Sequence, residues 1–445
     1  LFDDVSVYNQ TVMVPEQMPR IALLAVQKAL ACKGVSHLSI PSDVAPDDVD
    51  NLSMEHAIFQ ADDNRVPCQK ELEALAEKLN SASKVTLLIG WGTRGATPEV
   101  MSLAETLQAP VAHSLKGKMV LADNHPHYAG GIGMLGSTCG LEALDSCDVL
   151  VMLGTDFPYR QFYPKNKFII QIDCSAERLG QRCGIKMGLV GHVKPTLNAL
   201  LPLLETKTDD THLLNIQKAR SKWALTLTKR ANLHPNKHKI HPQSVVDLIS
   251  KHARTDAAFT ADTGETIVWA ARHLQQTGER DLIASFNLAS MANAMPQSLG
   301  IQAMDRKRQV IALCGDGGFS MLMSDFITAV TYNLPIKCFV FNNSVLGLVK
   351  MEMEATGFQE WGVELKNPSF AACGKAMGGE GILITEPSEL EAGIKRALSM
   401  DGPVVVDIHT NHDELTIPPK IEAARAWGYS VSKMKELWGA TSISD

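Results

Sequence analysis

The stretch from Cys314 to Asn343, CGDGGFSMLMSDFITAVTYNLPIKCFVFNN, carries residue types from which an oxygen-ligated cation site can be built. A strand that delivers Gly315-Asp316-Gly317-Gly318 to the start of a helix turns backbone N–H groups outward, and glycines let an anion approach them closely. Mg²⁺ takes oxygen ligands in octahedral array, usually one or two carboxylates with phosphates and water completing the shell. Asp316 supplies a carboxylate, Asn343 a side-chain oxygen and Val345 a backbone carbonyl. A bare Gly-Asp-Gly is more often an ordinary turn, and paired asparagines more often a helix cap. The 24 residues between Gly317 and Asn342 read as a helical stretch and a short apolar strand. Asp316 and Asn343 then meet at the carboxyl ends of adjacent parallel strands, where open α/β sheets bind ligands.

The elements that must hold these residues follow from the rest of the chain. Apolar runs of strand length, such as KVTLLIG, DVLVMLG, KFIIQID, AAFTAD, RQVIALCGD, IKCFVFNN and GPVVVDI, alternate with segments of helical period. That alternation predicts β-α-β units and parallel sheets, an α/β class. With 445 residues and 45% apolar content, about three domains are expected. Two poorly periodic stretches, residues 41–67 and 205–214, divide the chain into 1–65, a middle domain at 66–217, a third at 218–413 and a tail at 414–445. Net charge is −7 with the signs mixed, so nucleic acid is not an expected partner. Nine scattered cysteines without a Cys-x-x-Cys pair predict free thiols in a reducing cytoplasm, and no apolar run is long enough for a membrane span. His234, His238 and His241 read as solvated linker residues, not as a metal site.

The gapped Gly-Asp-Gly…Asn-Asn pattern resembles the thiamine diphosphate motif of the pyruvate oxidases and acetohydroxyacid synthases. The resemblance implies Mg²⁺ on Asp316, Asn343 and Val345, with Gly317, Gly318, Ser344, Leu346 and Gly347 around the diphosphate. ADTGETIVWAARHL is similar to the turn that meets the diphosphate, which implies that role for Gly264, Glu265 and Thr266. FNLASMANAMPQ is similar to the segment that props the cofactor in its bent form, with Met291 beneath the thiazolium ring and Ala289 and Ser290 near the aminopyrimidine.

In the middle domain, Gly90-x-Gly92-x-x-Gly95 follows a strand and precedes a helix, a dinucleotide fingerprint that lacks the acidic residue expected for NAD. The resemblance implies FAD instead, on a central six-stranded parallel sheet. Its expected contacts are Gly92 and Thr93, then Gly133, Met134, Leu135, Gly136 and Ser137, then Phe157, Pro158, Tyr159, Arg160 and Gln161, and at the adenosine end Asp173 and Ser175. FPYR, SMANAMPQ and FNNSVLG are most similar to the quinone-reducing bacterial pyruvate oxidases. The implied reaction decarboxylates pyruvate on thiamine diphosphate and sends two electrons through FAD to a membrane quinone, leaving acetate. A homo-oligomer, a dimer of dimers, is also implied.

Three departures from that family stand out. Residues 1–65 resemble only the end of its pyrimidine-binding domain, so the glutamate that activates the cofactor is expected upstream of Leu1; Glu55 has no matching context. The chain as given is then expected to turn over negligibly. Leu348 stands where an aromatic commonly lies near both cofactors. The tail, with Trp427, Tyr429 and Trp438 among lysines, reads equally as a lipid-contacting amphipathic segment at the inner face of the cell membrane or as a docking helix. Two other functions stay open: an acetohydroxyacid synthase-type transferase, and a cofactor-binding remnant without activity.

Overall fold

The computed structural model describes residues 1–49, 58, 64–232, 239–414, 429 and 431–433. They form two compact units, Leu1–Asn64 and Arg65–Asp445. In the first, strands β1 (Tyr8–Thr11) and β2 (Ser36–Ser39) pair in parallel and are joined by the helix Met18–Cys32. Parallel neighbours need such a crossover, since a tight turn cannot reverse the chain twice.

The second unit holds two parallel six-stranded sheets. The central one comprises β3 (Val85–Ile89), β4 (Val111–His113), β5 (Tyr128–Gly131), β6 (Val149–Leu153), β7 (Phe168–Asp173) and β8 (Met187–Val190), in the order β5-β4-β3-β6-β7-β8. The C-terminal one comprises β9 (Ala258–Ala261), β10 (Asp281–Ala284), β11 (Val310–Gly315), β12 (Lys337–Asn342), β13 (Glu380–Ile384) and β14 (Val404–His409), in the order β10-β9-β11-β12-β14-β13. Helices cover both faces of each sheet, which is why the strands read as continuous apolar runs. Along β3, Val85, Leu87 and Ile89 join one apolar cluster and Leu88 another; along β11, Ile311 and Leu313 face one cluster and Val310, Ala312 and Cys314 the opposite one.

The chain switches from one side of the sheet to the other between β3 and β6 in the central sheet and between β9 and β11 in the C-terminal one, where β14 also inserts between β12 and β13. Successive connections leave such a point in opposite directions and open a crevice at the carboxyl edge. In the central sheet the crevice is bridged: the Gly92 N–H donates to the Gly154 carbonyl at 3.0 Å, and a Cβ on Gly154 would stand 2.5 Å from the Gly92 Cα.

The structure departs from the sequence reading in places. The expected boundary at 217/218 lies inside one continuous helix, Thr211–Asn232, because a polar run preceding a helix does not mark where that helix ends. His241 is buried, and its Nδ1 lies 2.7 Å from Glu414 Oε2, so it is not a solvated linker residue. His234, His238, Glu55, Trp427 and Trp438 lie outside the described residues. Ser432 is buried with its hydroxyl donating to the Phe358 carbonyl at 2.6 Å, and Lys433 pairs with Glu354, so this part of the tail docks on the protein. Among the described residues no helix is long and apolar enough to cross a membrane.

Candidate functional site

The β9/β11 crevice gathers the residues with which the sequence argument began. Asp262, buried just beyond β9, accepts the Ala294 N–H on Oδ1 at 2.9 Å and the Gly315 N–H on Oδ2 at 3.2 Å. One carboxylate thereby ties the ends of β9 and β11 to the start of the helix Ala294–Met304. Burial pushes its pKa up to about 6, against the pull of those N–H donors. A Cβ on Gly318 would lie 2.4 Å from Asp262 Oδ2, so the helix Asp316–Leu322 can start this close only with glycine there.

Asp316 opens that helix and is buried. Its Oδ1 accepts the Gly317 N–H at 2.7 Å, and its Oδ2 accepts the Ser344 N–H at 2.7 Å and the Asn367 amide at 2.9 Å. Burial raises its pKa above the ordinary value while these donors favour the ionised form. Ser344 reaches this position at φ +59°, in the left-handed region few residues with a side chain adopt. The Asn343 amide donates to Glu265 Oε2 at 2.9 Å, and its Oδ1 accepts the Val345 N–H at 3.2 Å. His412 Nδ1 donates to the Asn343 carbonyl at 3.0 Å and fixes the loop from behind. The Asp316 carboxyl, the Asn343 amide oxygen and the Val345 carbonyl form an oxygen-only donor set along one cleft, which fits a small hard cation. Gly317 and Gly318, beside it at the start of the helix Asp316–Leu322, line the same cleft.

Gly264, Glu265, Thr266, Met291, Asp316, Gly317, Gly318, Asn343, Val345, Leu346, Gly347 and Leu348 all line one cleft of about 80 Å³. Met291 presses on its floor, with Cε 3.4 Å from where a Gly317 Cβ would stand. Ala289, Ser290 and Ser344 are not part of that lining; Ala289 is held at φ +51°, and the Ser290 hydroxyl donates to the Met291 carbonyl at 2.9 Å.

The residues expected to meet a flavin follow β3, β5, β6 and β7, all at the carboxyl edge of the central sheet. Leu135, Gly136 and Ser137 line a cavity of about 800 Å³ with Lys118, Arg272 and Gln276. The Met134 carbonyl accepts from Arg272 Nη2 at 3.0 Å. Gly133, at φ +89°, lies against the Phe157 ring, and the Tyr163 hydroxyl donates to the Phe157 carbonyl at 2.7 Å. Gly92 and buried Thr93 serve the loop contact at the strand reversal, Thr93 donating to the Gly90 carbonyl at 2.6 Å. Pro158, Tyr159, Arg160 and Gln161 are exposed, and Asp173 accepts the Ser175 N–H at 3.0 Å, its pKa raised by burial.

Sequence reasoning missed Asp262, Asn367 and Asp407. The Asn342 amide donates to Asp407 Oδ1 at 2.9 Å, Phe370 N–H donates to Asp407 Oδ2 at 2.9 Å, and Asn367 bridges Asn342 and Asp316. The first asparagine of the pair is therefore bound into the scaffold and the second faces the cleft. Only the polar type of these residues, at or near strand ends, signals them in sequence.

Residues 262–408 match the family described as thiamine pyrophosphate enzyme, C-terminal TPP binding domain, and residues 72–200 match thiamine pyrophosphate enzyme, central domain. Over 438 residues the chain is 33% identical to YdaP of Bacillus subtilis, named as thiamine pyrophosphate-containing, covering 98% of this chain and 76% of that protein. It is 26% identical to pyruvate oxidase of Lactiplantibacillus plantarum, covering 92% of this chain and 68% of that one. It is 25% identical to the acetolactate synthase large subunit of Lactococcus lactis, covering 92% and 72%.

Proposed function

The chain belongs to the thiamine pyrophosphate-dependent enzymes, and on that premise we propose that it serves the oxidative decarboxylation of pyruvate, with thiamine diphosphate and Mg²⁺ in the β9/β11 cleft and FAD on the central sheet. The observation that carries the reading is the meeting of Asp316 and Asn343 in one cleft, Asp316 held by the Ser344 N–H and the Asn367 amide and Asn343 by Glu265. Pyruvate and water give acetate, CO₂, two protons and two electrons, and a membrane quinone accepts the electrons.

When bound, thiamine diphosphate supplies the electron sink that lets the carboxylate of a 2-oxo acid leave as CO₂. The chain's own residues bind and orient. Asp316, Asn343 and the Val345 carbonyl would hold Mg²⁺, and the Gly317 and Gly318 backbone would face the diphosphate. Met291 and Leu348 wall the cleft with apolar surface and exclude water there. For FAD, support comes from the larger cavity, where Lys118 and Arg272 stand beside Leu135–Ser137 in a space sized for a phosphate-bearing ligand. The activating glutamate is assigned to no residue of this chain.

Similarity to an acetolactate synthase subunit over the same span favours a second reading, transfer of a two-carbon unit to another 2-oxo acid. Product analysis separates the two. Acetate formed in step with quinone reduction, on protein showing flavin absorbance, supports the oxidase; acetolactate without quinone reduction supports the transferase and overturns the first reading. Homo-oligomerisation, and lipid contact through tail residues such as Trp427 and Trp438, are part of the proposal. Sedimentation and liposome flotation test them.

A further inference from the structure

Arg272 lies in the last turn of the helix Glu265–His273 and is 9% exposed. Its Nη2 donates to the Met134 carbonyl at 3.0 Å, and its buried Nε has no hydrogen-bond partner. Among the described residues no carboxylate pairs with it, and the charge that acts on it is a second cation, Arg230; burial and that neighbour lower its pKa to about 10. A cation in a last turn suits the helix dipole, but that benefit does not require burial. A buried charge without a counter-ion is costly, and groups held in such surroundings cluster at functional sites.

A buried amide stands in the same wall. Gln276, 3% exposed, lines the cavity of about 800 Å³ together with Arg272, and neither its amide oxygen nor its nitrogen has a hydrogen-bond partner. Its backbone is fixed: the Gln276 N–H donates to Asp123 Oδ2 at 3.1 Å, and the Gln276 carbonyl accepts the Asp123 N–H at 2.9 Å. An orphaned buried donor and acceptor cost stability, so a partner arriving from outside the chain accounts for the pair. Two further groups mark this wall as rich in cations. Lys118 lines it with Nζ 3.3 Å from Asp123, and burial, with Arg272, Arg230 and Lys118 nearby, lowers the His273 pKa to about 3.

We propose that Arg272 anchors a phosphate group of the ligand that enters this cavity, with the Gln276 amide as a second polar contact. The guanidinium then gains the counter-ion it lacks within the chain, in a charge-assisted hydrogen bond. FAD and a free nucleoside diphosphate such as ADP both carry that group. The inference rests on the reading that this cavity takes a phosphate-bearing cofactor, and goes beyond it by naming the cation that holds the charge.

The test is equilibrium binding of FAD, ADP and riboflavin to the protein and to its Arg272→Met and Gln276→Leu variants, by calorimetric titration. Riboflavin shares the flavin ring and lacks phosphate. FAD affinity should fall by about 30-fold or more in Arg272→Met, with riboflavin affinity unchanged, and by about five-fold in Gln276→Leu. ADP should follow FAD. Thermal midpoints without ligand should be unchanged or higher in both variants, since each removes buried polar atoms that lack a partner. Binding of ADP but not FAD to wild type, lost in Arg272→Met, would support the anchor, make a free nucleotide its occupant and overturn the FAD reading alone. FAD affinity unchanged in Arg272→Met, or FAD and riboflavin weakened alike, would overturn the inference and leave Arg272 a tie to the Met134 carbonyl. Absence of both FAD and ADP binding in wild type would remove the cofactor reading, and this inference with it.

Discussion

Asn342 and Asp407, on neighbouring strands β12 and β14, are joined by a hydrogen bond of 2.9 Å in the buried layer directly beneath the cleft. Asp407 also receives the Phe370 N–H, so it anchors the loop that carries Asn367 to Asp316. Asp407→Ala strands two buried donors, at about 1–3 kcal/mol each. The urea midpoint should fall accordingly. The Asn342→Ala, Asp407→Ala double variant should lose less than the sum of the singles, because the second change removes a donor the first had orphaned.

Replacing Asp316 by Asn keeps the shape but removes the charge and sets an N–H₂ against the Gly317 or Ser344 N–H. A charge lost about 4 Å from a divalent cation corresponds to several kcal/mol at an effective dielectric of 20. Mg²⁺-dependent binding of thiamine diphosphate should weaken by about 100-fold or more. A calorimetric titration showing unchanged affinity would refute the ligand role.

Two glycines three residues apart should respond oppositely to alanine. A Cβ at Gly318 meets Asp262 Oδ2 at 2.4 Å, and that oxygen is held by the Gly315 N–H. A Cβ at Gly315 meets nothing within 4 Å, at a φ of −73° that any residue adopts. Gly318→Ala should cost about 1–3 kcal/mol in overpacking and loosen the cleft. Gly315→Ala should be neutral or slightly stabilising. Thermal melts of the two variants compare them directly.

Buried histidines set the acid limit of stability. Burial, aided by nearby Lys118, lowers the His113 pKa to about 4, and burial with Arg272 lowers His273 to about 3. In the unfolded chain both take up a proton near pH 6.5, so between that value and their folded pKa values the unfolded state binds more protons. Stability present above pH 6.5 is therefore lost as pH falls toward 4. Asp262 acts the other way: raised to about 6, it binds its proton more tightly when folded, so its share falls as pH rises from 3.8 to 6. His212, lowered to about 4 by burial, adds to the histidine side, and Glu265, raised to about 7 by burial, adds to the aspartate side. With each shift worth on the order of 3 kcal/mol, three histidines outweigh two carboxyls. The denaturation midpoint should rise between pH 4.5 and 6.5, and His113→Gln should flatten that rise.

What was legible in the sequence had a local signature. Gly315–Gly318 and Asn342–Asn343 announce themselves through short motifs joined by a fixed gap, and β3, β6, β11 and β12 through unbroken apolar runs. Asp262, Asn367 and Asp407 carry no such mark, because their partners lie 25 to 65 residues away and only the strand order brings them together. The short strands β5 and β8 contain glycine and few branched residues, so their pairing comes from sheet context more than from propensity. His241 looked solvated because its partner Glu414 lies 173 residues along the chain.

The backbone bond between Gly92 and Gly154 gives the two sheets different mechanical characters. Where the central sheet reverses its order the rims are latched backbone to backbone, with the two glycines too close for a side chain on either. Where the C-terminal sheet reverses, the Asp262 N–H donates to the Leu313 carbonyl at 3.0 Å and the Asp262 carboxylate takes the Gly315 N–H, so one residue closes that rim with both its backbone and its side chain.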